Sequence, residues 1–158
     1  MIEYVDLLYS ISKRLRESYP KSVIKIDKKK SEKELKNGLF YIIVSPLNGS
    51  TSFELRKKLL NIYVEYVEEV KTQESSLKME QALEELFDEN IVVSGIYNKH
   101  KVERHLPIIN KTVSDNENSI TLQMTLNYFD AKAEYVPELP DATYDELMKI
   151  LKLNIESS

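Results

Sequence analysis

Residues 119–128 read Ser119-Ile120-Thr121-Leu122-Gln123-Met124-Thr125-Leu126-Asn127-Tyr128, and their reading decides the fold class. Apolar Ile120, Leu122, Met124, Leu126 and Tyr128 alternate without interruption against Thr121, Gln123, Thr125 and Asn127. Successive side chains of a strand point to opposite faces, so this period of two puts one set on a core and the other on a polar surface. Such a strand needs neighbours in a sheet and a second layer over its apolar side.

Working outward, the neighbouring segments supply both. Ser114-Asp115-Asn116-Glu117-Asn118 has loop composition, and before it Ile91, Val93, Gly95 and Tyr97 alternate with Val92, Ser94 and Ile96. That strand turns polar through Asn98-Lys99-His100-Lys101, a stretch that reads as projecting from the body. Leu39-Phe40-Tyr41-Ile42-Ile43-Val44 is a continuous apolar run between Asn37-Gly38 and Pro46, the pattern of a central strand covered on both faces. The turn Asn48-Gly49-Ser50-Thr51-Ser52 returns the chain through 53–68 as the second arm of a long hairpin, with Ile62, Val64 and Tyr66 on one face. A strand of that length exceeds the usual five or six residues, which predicts a bend or bulge near 56–60. Residues 23–27 read as a short edge strand ahead of Lys28-Lys29-Lys30.

Three helices complete the pattern. Tyr4, Leu8, Ile11 and Leu15 form the apolar stripe of a first helix ending near Tyr19-Pro20. Ser75 or Ser76 caps a second, with Met79, Ala82, Leu83 and Leu86 facing the core and Asn90 as its stop. Thr143 with Glu146 makes a capping box for a third, over about 143–156, whose Tyr144, Leu147, Met148, Leu151 and Ile155 pack on its own sheet or on a neighbouring subunit. The expected fold is α+β: one domain over 1–158, with a mainly antiparallel sheet of about five strands, helices on one face, and helices at both termini.

The bulk numbers narrow the function. The 158 residues carry a net charge of −4, which does not favour avid general binding to nucleic acid. The chain has no cysteine, so disulfides, thiolate catalysis and Cys-based metal sites are excluded. Acidic residues stand where a secretory signal has its basic region, and no apolar run approaches a membrane span, so a soluble cytoplasmic protein is expected.

Candidate chemistry is sparse. His100 and His105 are five residues apart with no third ligand in view, and read as ordinary exposed histidines. Carboxylates such as Glu65, Glu84 and Asp88 sit on wet faces, where solvated surface is the usual role. Three glycines and no Gly-x-x-x-x-Gly-Lys-Ser/Thr pattern exclude a nucleotide cradle, and no Gly-x-Ser-x-Gly elbow occurs. No enzyme activity, cofactor or metal is expected. The ten tyrosines, among them Tyr41, Tyr63, Tyr66, Tyr97 and Tyr128 in predicted strands, suit half-buried and interfacial positions.

The layout resembles the tail terminator proteins of phages and phage-derived elements in Gram-positive bacteria. The landmarks are Leu15-Arg16-Glu17-Ser18-Tyr19-Pro20, Phe40-Tyr41-Ile42-Ile43-Val44-Ser45-Pro46, Arg56 leading into Ile62-Tyr63-Val64-Glu65-Tyr66, the helix 79–87, Ile91-Val92-Val93, and Leu122-Gln123-Met124-Thr125-Leu126-Asn127-Tyr128. The resemblance implies a virion structural protein that forms a ring, typically a hexamer, on the head-proximal end of a tail tube. There it stops polymerisation and offers the head-joining surface. The implied partners are its own copies, the tail tube protein, the head-tail connector, and sheath in a contractile tail, with DNA only passing through the lumen and no membrane. The implied location is the host bacterial cytoplasm during assembly and then the tail of a phage, prophage or phage-tail-like bacteriocin. Under this reading the candidate contacts are Asn48, Gly49, Ser50, Thr51 and Phe53 in the turn, Arg56, and Lys99, His100, Arg104 and His105 in the polar excursion 98–118. The competing reading is a cytosolic adaptor or assembly chaperone that holds a peptide on a sheet edge.

Overall fold

The computed structural model describes residues 2–26, 36–47, 55–97 and 99–131. Their elements follow as α1 (Tyr4–Ser18), β1 (Val23–Lys25), β2 (Leu39–Pro46), β3 (Leu55–Val67), α2 (Gln73–Leu86), β4 (Asn90–Tyr97), β5 (His100–Asp115) and β6 (Ser119–Ala131). The turn expected at 48–52, the lysines at 28–30 and the terminal helix expected at 143–156 lie outside the described residues.

The alternation at 119–128 belongs to β6, and the face it predicts is the core face. Ile120, Leu122, Met124, Leu126 and Tyr128 are all buried, and the residues between them are half-buried. Six strands form one sheet in the order β1, β2, β3, β6, β5, β4. β1 runs parallel to β2, and the other neighbours are antiparallel. The expectation of about five mainly antiparallel strands is corrected on two points, the parallel edge and the sixth strand. That sixth strand is β5, which sequence reading took for a polar excursion. It lacks regular alternation because most of its residues are exposed on both faces.

The bulge is also in a different place. β3 pairs with β6 without a shift, from Leu55 opposite Ala131 to Val67 opposite Ser119. The irregularity falls in β5, between Ile108 and Asn110, where the strand changes from pairing with β4 to pairing with β6.

Both helices lie over the same face, and one core joins Leu7, Ile11 and Leu15 of α1, Leu83 of α2 and Phe87 to Phe40, Ile62, Leu122 and Met124 of the sheet. The expected α1 stripe holds at Ile11 and Leu15, both buried, and at Leu8, which packs on the core, but Leu7 is fully buried where Tyr4 was expected and Tyr4 is 37% exposed. In β2, Leu39, Phe40, Tyr41 and Ile42 are buried in succession, so this strand is covered on both faces, as its unbroken apolar run implies.

The α2 cap is Thr72, not Ser75 or Ser76. Thr72 Oγ1 accepts from the Ser75 amide at 3.1 Å, and Ser75 Oγ accepts from the Thr72 amide at 3.0 Å. Ser75 Oγ also donates to Glu68 at 2.6 Å, which ties the helix start to the segment after β3. The helix ends at Phe87, and Asn90 opens β4 instead of stopping the helix.

Gly38 introduces β2 at φ +83°, a backbone state that L side chains rarely adopt. A Cβ there would lie 2.5 Å from Cε2 of Tyr66, whose ring packs on Phe40 at 4.9 Å. Burial, then the Glu68 carboxylate, pushes the Tyr66 phenol up to about 12. A raised phenol contributes stability that is complete below its unfolded value near 10 and is lost as pH rises toward 12. Gly38→Ala is expected to cost about 2 kcal/mol or more, read as a lower urea midpoint at unchanged slope. Tyr66→Phe should flatten the alkaline limb of stability measured between about pH 10 and 12.

Candidate interaction surfaces

Two positions continue the core face of the central strands with charge in place of apolar carbon. Lys58 precedes Leu60 by two residues in β3, and Asp130 follows Tyr128 by two in β6; both are buried, at 5% and 3% exposure. They meet. Lys58 Nζ donates to the Ile2 carbonyl at 2.7 Å and to Asp130 Oδ2 at 3.3 Å, and the Ile2 amide donates to the same Oδ2 at 2.7 Å. Arg104 Nη1 donates to Asp130 Oδ1 at 3.0 Å, and its Nη2 to the Phe129 carbonyl at 2.8 Å. The Lys58 ammonium also lies 5.0 Å from the centre of the Tyr4 ring.

One carboxylate therefore joins the chain segment before α1 to β3, β5 and β6. Burial pushes the Asp130 carboxyl up, but the Ile2 amide and the hydrogen bond and charge of Lys58 outweigh it and hold the group below its usual value. Sequence reasoning missed both residues, although a signal existed: each sits two residues beyond the last apolar position of an alternating run. Arg56 stands opposite Asp130 in the β3–β6 register, and its Nε is buried without a hydrogen-bond acceptor.

The other candidates lie on an arm. β4 and β5 form a hairpin from Asn90 opposite Pro107 to Tyr97 opposite His100, turning at Lys99 with φ +64°. β5 begins to pair with β6 only at Ile108, so residues 100–107 pair with β4 alone. Four residues at roughly 3.3 Å each carry the hairpin about 13 Å past Arg104. Lys99, His100, Lys101, Glu103 and His105 are exposed, as are Ser94 and Gly95. Arg104 faces inward to Asp130. His100 and His105 occupy positions of opposite parity along the strand and do not converge. Asn48, Gly49, Ser50, Thr51 and Phe53 lie outside the described residues.

Between α1 and the hairpin base runs an open cleft of about 390 Å³, lined by Asp6, Ser10, Arg14, Phe87, Ile91 and Glu103 among others. Its charges are mixed. Among the described residues no group of three His, Asp or Glu side chains is placed to hold a metal ion, and no helix is long and apolar enough to cross a membrane.

Asp130 has the lowered carboxyl, so its contribution is present above the unfolded value near 4 and is lost as pH falls through the lower folded value. Asp130→Asn is expected to cost about 3–5 kcal/mol in denaturant unfolding at pH 7, because it leaves Lys58 buried without its counter-charge. The variant should also show a shallower loss of stability below about pH 4 than the parent protein does.

Among curated proteins none is significantly similar to this chain in sequence. One solved structure is 16% identical, covering 87% of this chain and all of its own, with a TM-score of 0.45. The sequence profile of the phage tail terminator protein family matches residues 6–132, from α1 through the last strand. The matched span takes in the sheet, both described helices, the Lys58, Asp130 and Arg104 cluster and the projecting hairpin, and on that ground the chain belongs to the phage tail terminator protein family and is a structural component of a phage tail.

Proposed function

We propose that the protein caps the head-proximal end of a tail tube as a closed ring of identical subunits, hexameric in the simplest case. The ring stops tube polymerisation and presents the surface to which the head connector docks. Family membership over residues 6–132 carries the reading. The architecture supports it physically. β1 and β4 are the sheet edges, and a hairpin arm extends beyond the core. Edges and arms of this kind are satisfied when each copy uses one surface to engage a different surface of the next, and such heterologous contacts close into rings.

In this reading the tube protein and the connector contact the two ends of the ring, sheath contacts it in a contractile tail, and DNA passes through the lumen. Assembly takes place in the host bacterial cytoplasm and the product resides in the tail of a phage, prophage or tail-like particle. Arg56 and the stretch 99–105 are the described contact candidates, joined by 48–53, which lies outside the described residues. Arg56 is favoured because its buried Nε has no acceptor and Asp130 opposite is already bonded to Lys58 and Arg104.

Electron microscopy of particles made with and without the protein tests the function. Overlong or polydisperse tubes in its absence are expected; tubes of normal length that join heads at the normal frequency would refute the capping role. Arg56→Ala should fold normally and weaken self-association about tenfold in sedimentation experiments, the scale of losing one interfacial arginine. Unchanged association would remove Arg56 from the interface.

A further inference from the structure

The hairpin tip and the C-terminal end of α2 carry opposite charge. The side chains of Lys99, His100 and Lys101 are exposed at the turn of the β4–β5 hairpin. At the other pole, α2 has no basic residue in its last turn, and Glu84, Glu85, Asp88 and Glu89 are exposed there. This is the negative end of the helix dipole, where acids are unfavourable and cations are favoured.

Lys111 offers partial relief. Its ammonium donates to the Glu84 and Phe87 carbonyls at 3.2 and 3.1 Å and lies 3.7 Å from Asp88, whose side chain stays 76% exposed. One cation bonded to the helix carbonyls leaves the four carboxylates in net excess.

The two poles of one molecule cannot meet. The Glu89 carbonyl accepts from the Ile108 amide at 2.9 Å, which fixes the end of α2 beside the middle of β5. Eight strand residues, roughly 26 Å, separate that point from His100, and the hairpin that carries the tip runs away from the helix. A basic tip and an acidic helix end held this far apart can pair with each other only between molecules.

We infer that the tip of the β4–β5 hairpin docks on the acidic C-terminal end of α2 of a second copy, so that each subunit donates one arm and receives one. This rests on the ring reading and specifies its contact. The arm supplies Lys99, His100 and Lys101; the receiving surface supplies Glu84, Glu85, Asp88 and Glu89. Because donor and acceptor are different surfaces, the contact propagates around a circle without leaving a free copy of either.

Charge exchange tests it. Two variants are made in the full chain, Lys99→Glu/Lys101→Glu on the arm and Glu84→Lys/Glu85→Lys on the helix, with thermal unfolding as the check that both fold. Sedimentation of each alone should show self-association weakened at least about tenfold, as expected of charge reversal across an interface. Mixing the two should restore association, since each arm then finds an opposite charge on the other variant, and the fourfold variant should associate alone. The parent protein should dissociate as salt rises from about 50 to 500 mM. Both reversed variants assembling like the parent would overturn the contact while leaving the ring intact. A parent protein that stays monomeric at every concentration and salt would overturn the ring reading and this contact together. An arm variant that assembles normally but loses retention on duplex DNA would assign the basic tip to nucleic acid and likewise overturn the contact.

Discussion

Unshifted pairing of β3 with β6 is the constraint on which the rest of the structure depends. From Leu55 opposite Ala131 to Val67 opposite Ser119 the two strands hold one register. A slip of one residue would turn every core side chain of a strand to the other face, so this register sets at once the positions of Leu60, Ile62 and Val64 against Leu126, Met124 and Leu122. α1 and α2 then have an apolar surface to cover. The same register brings the charged ends of the two runs together, Lys58 and Asp130, and Arg104 reaches them from β5. A buried ion cluster of this kind adds little net stability over an apolar core, but it penalises any arrangement that leaves one of its charges unpaired. It therefore specifies how the residues before α1 and the base of the hairpin meet the central ribbon.

From that end of the sheet the molecule extends as an arm. The bulge at Ile108 and Asn110 marks the change: on one side β5 is part of the sheet over α2, and on the other it is paired with β4 alone. Core and arm thus share a strand, and the arm inherits its direction from the core instead of from a flexible linker. A projection with a basic tip, and an acidic helix end beside its base, give the subunit two different charged surfaces, as a head-to-tail ring uses.

Where the chain is half-buried, the sequence was legible. The alternation in β6, the unbroken apolar run of β2 and the stripe of α2 each appear in the structure with the expected faces, because burial on one side, on both sides, or along a stripe leaves a distinct period. β5 was not legible as a strand because an arm exposed on both faces has no apolar period to read. The α2 start is not fixed by the sequence alone, because Thr72, Ser75 and Ser76 are all capping types and only the structure shows Thr72 and Ser75 bonding reciprocally. The α1 stripe is legible at Leu8, Ile11 and Leu15, while Leu7 in place of Tyr4 at its start is decided only by packing. Lys58 and Asp130 were hidden because charge at a core position is recognised only once the register pairs it with its opposite.

The central claim is that copies of this subunit close a circle at the end of a tail tube. Cryo-electron microscopy of the head-proximal end of purified tails tests that most directly. The account predicts a single ring of this fold sitting on the last tube layer, with each hairpin reaching the adjacent copy at the acidic end of α2. Density for the protein along the side of the tube or at its distal tip, or a solitary copy with the arm engaged by an unrelated chain, would contradict it.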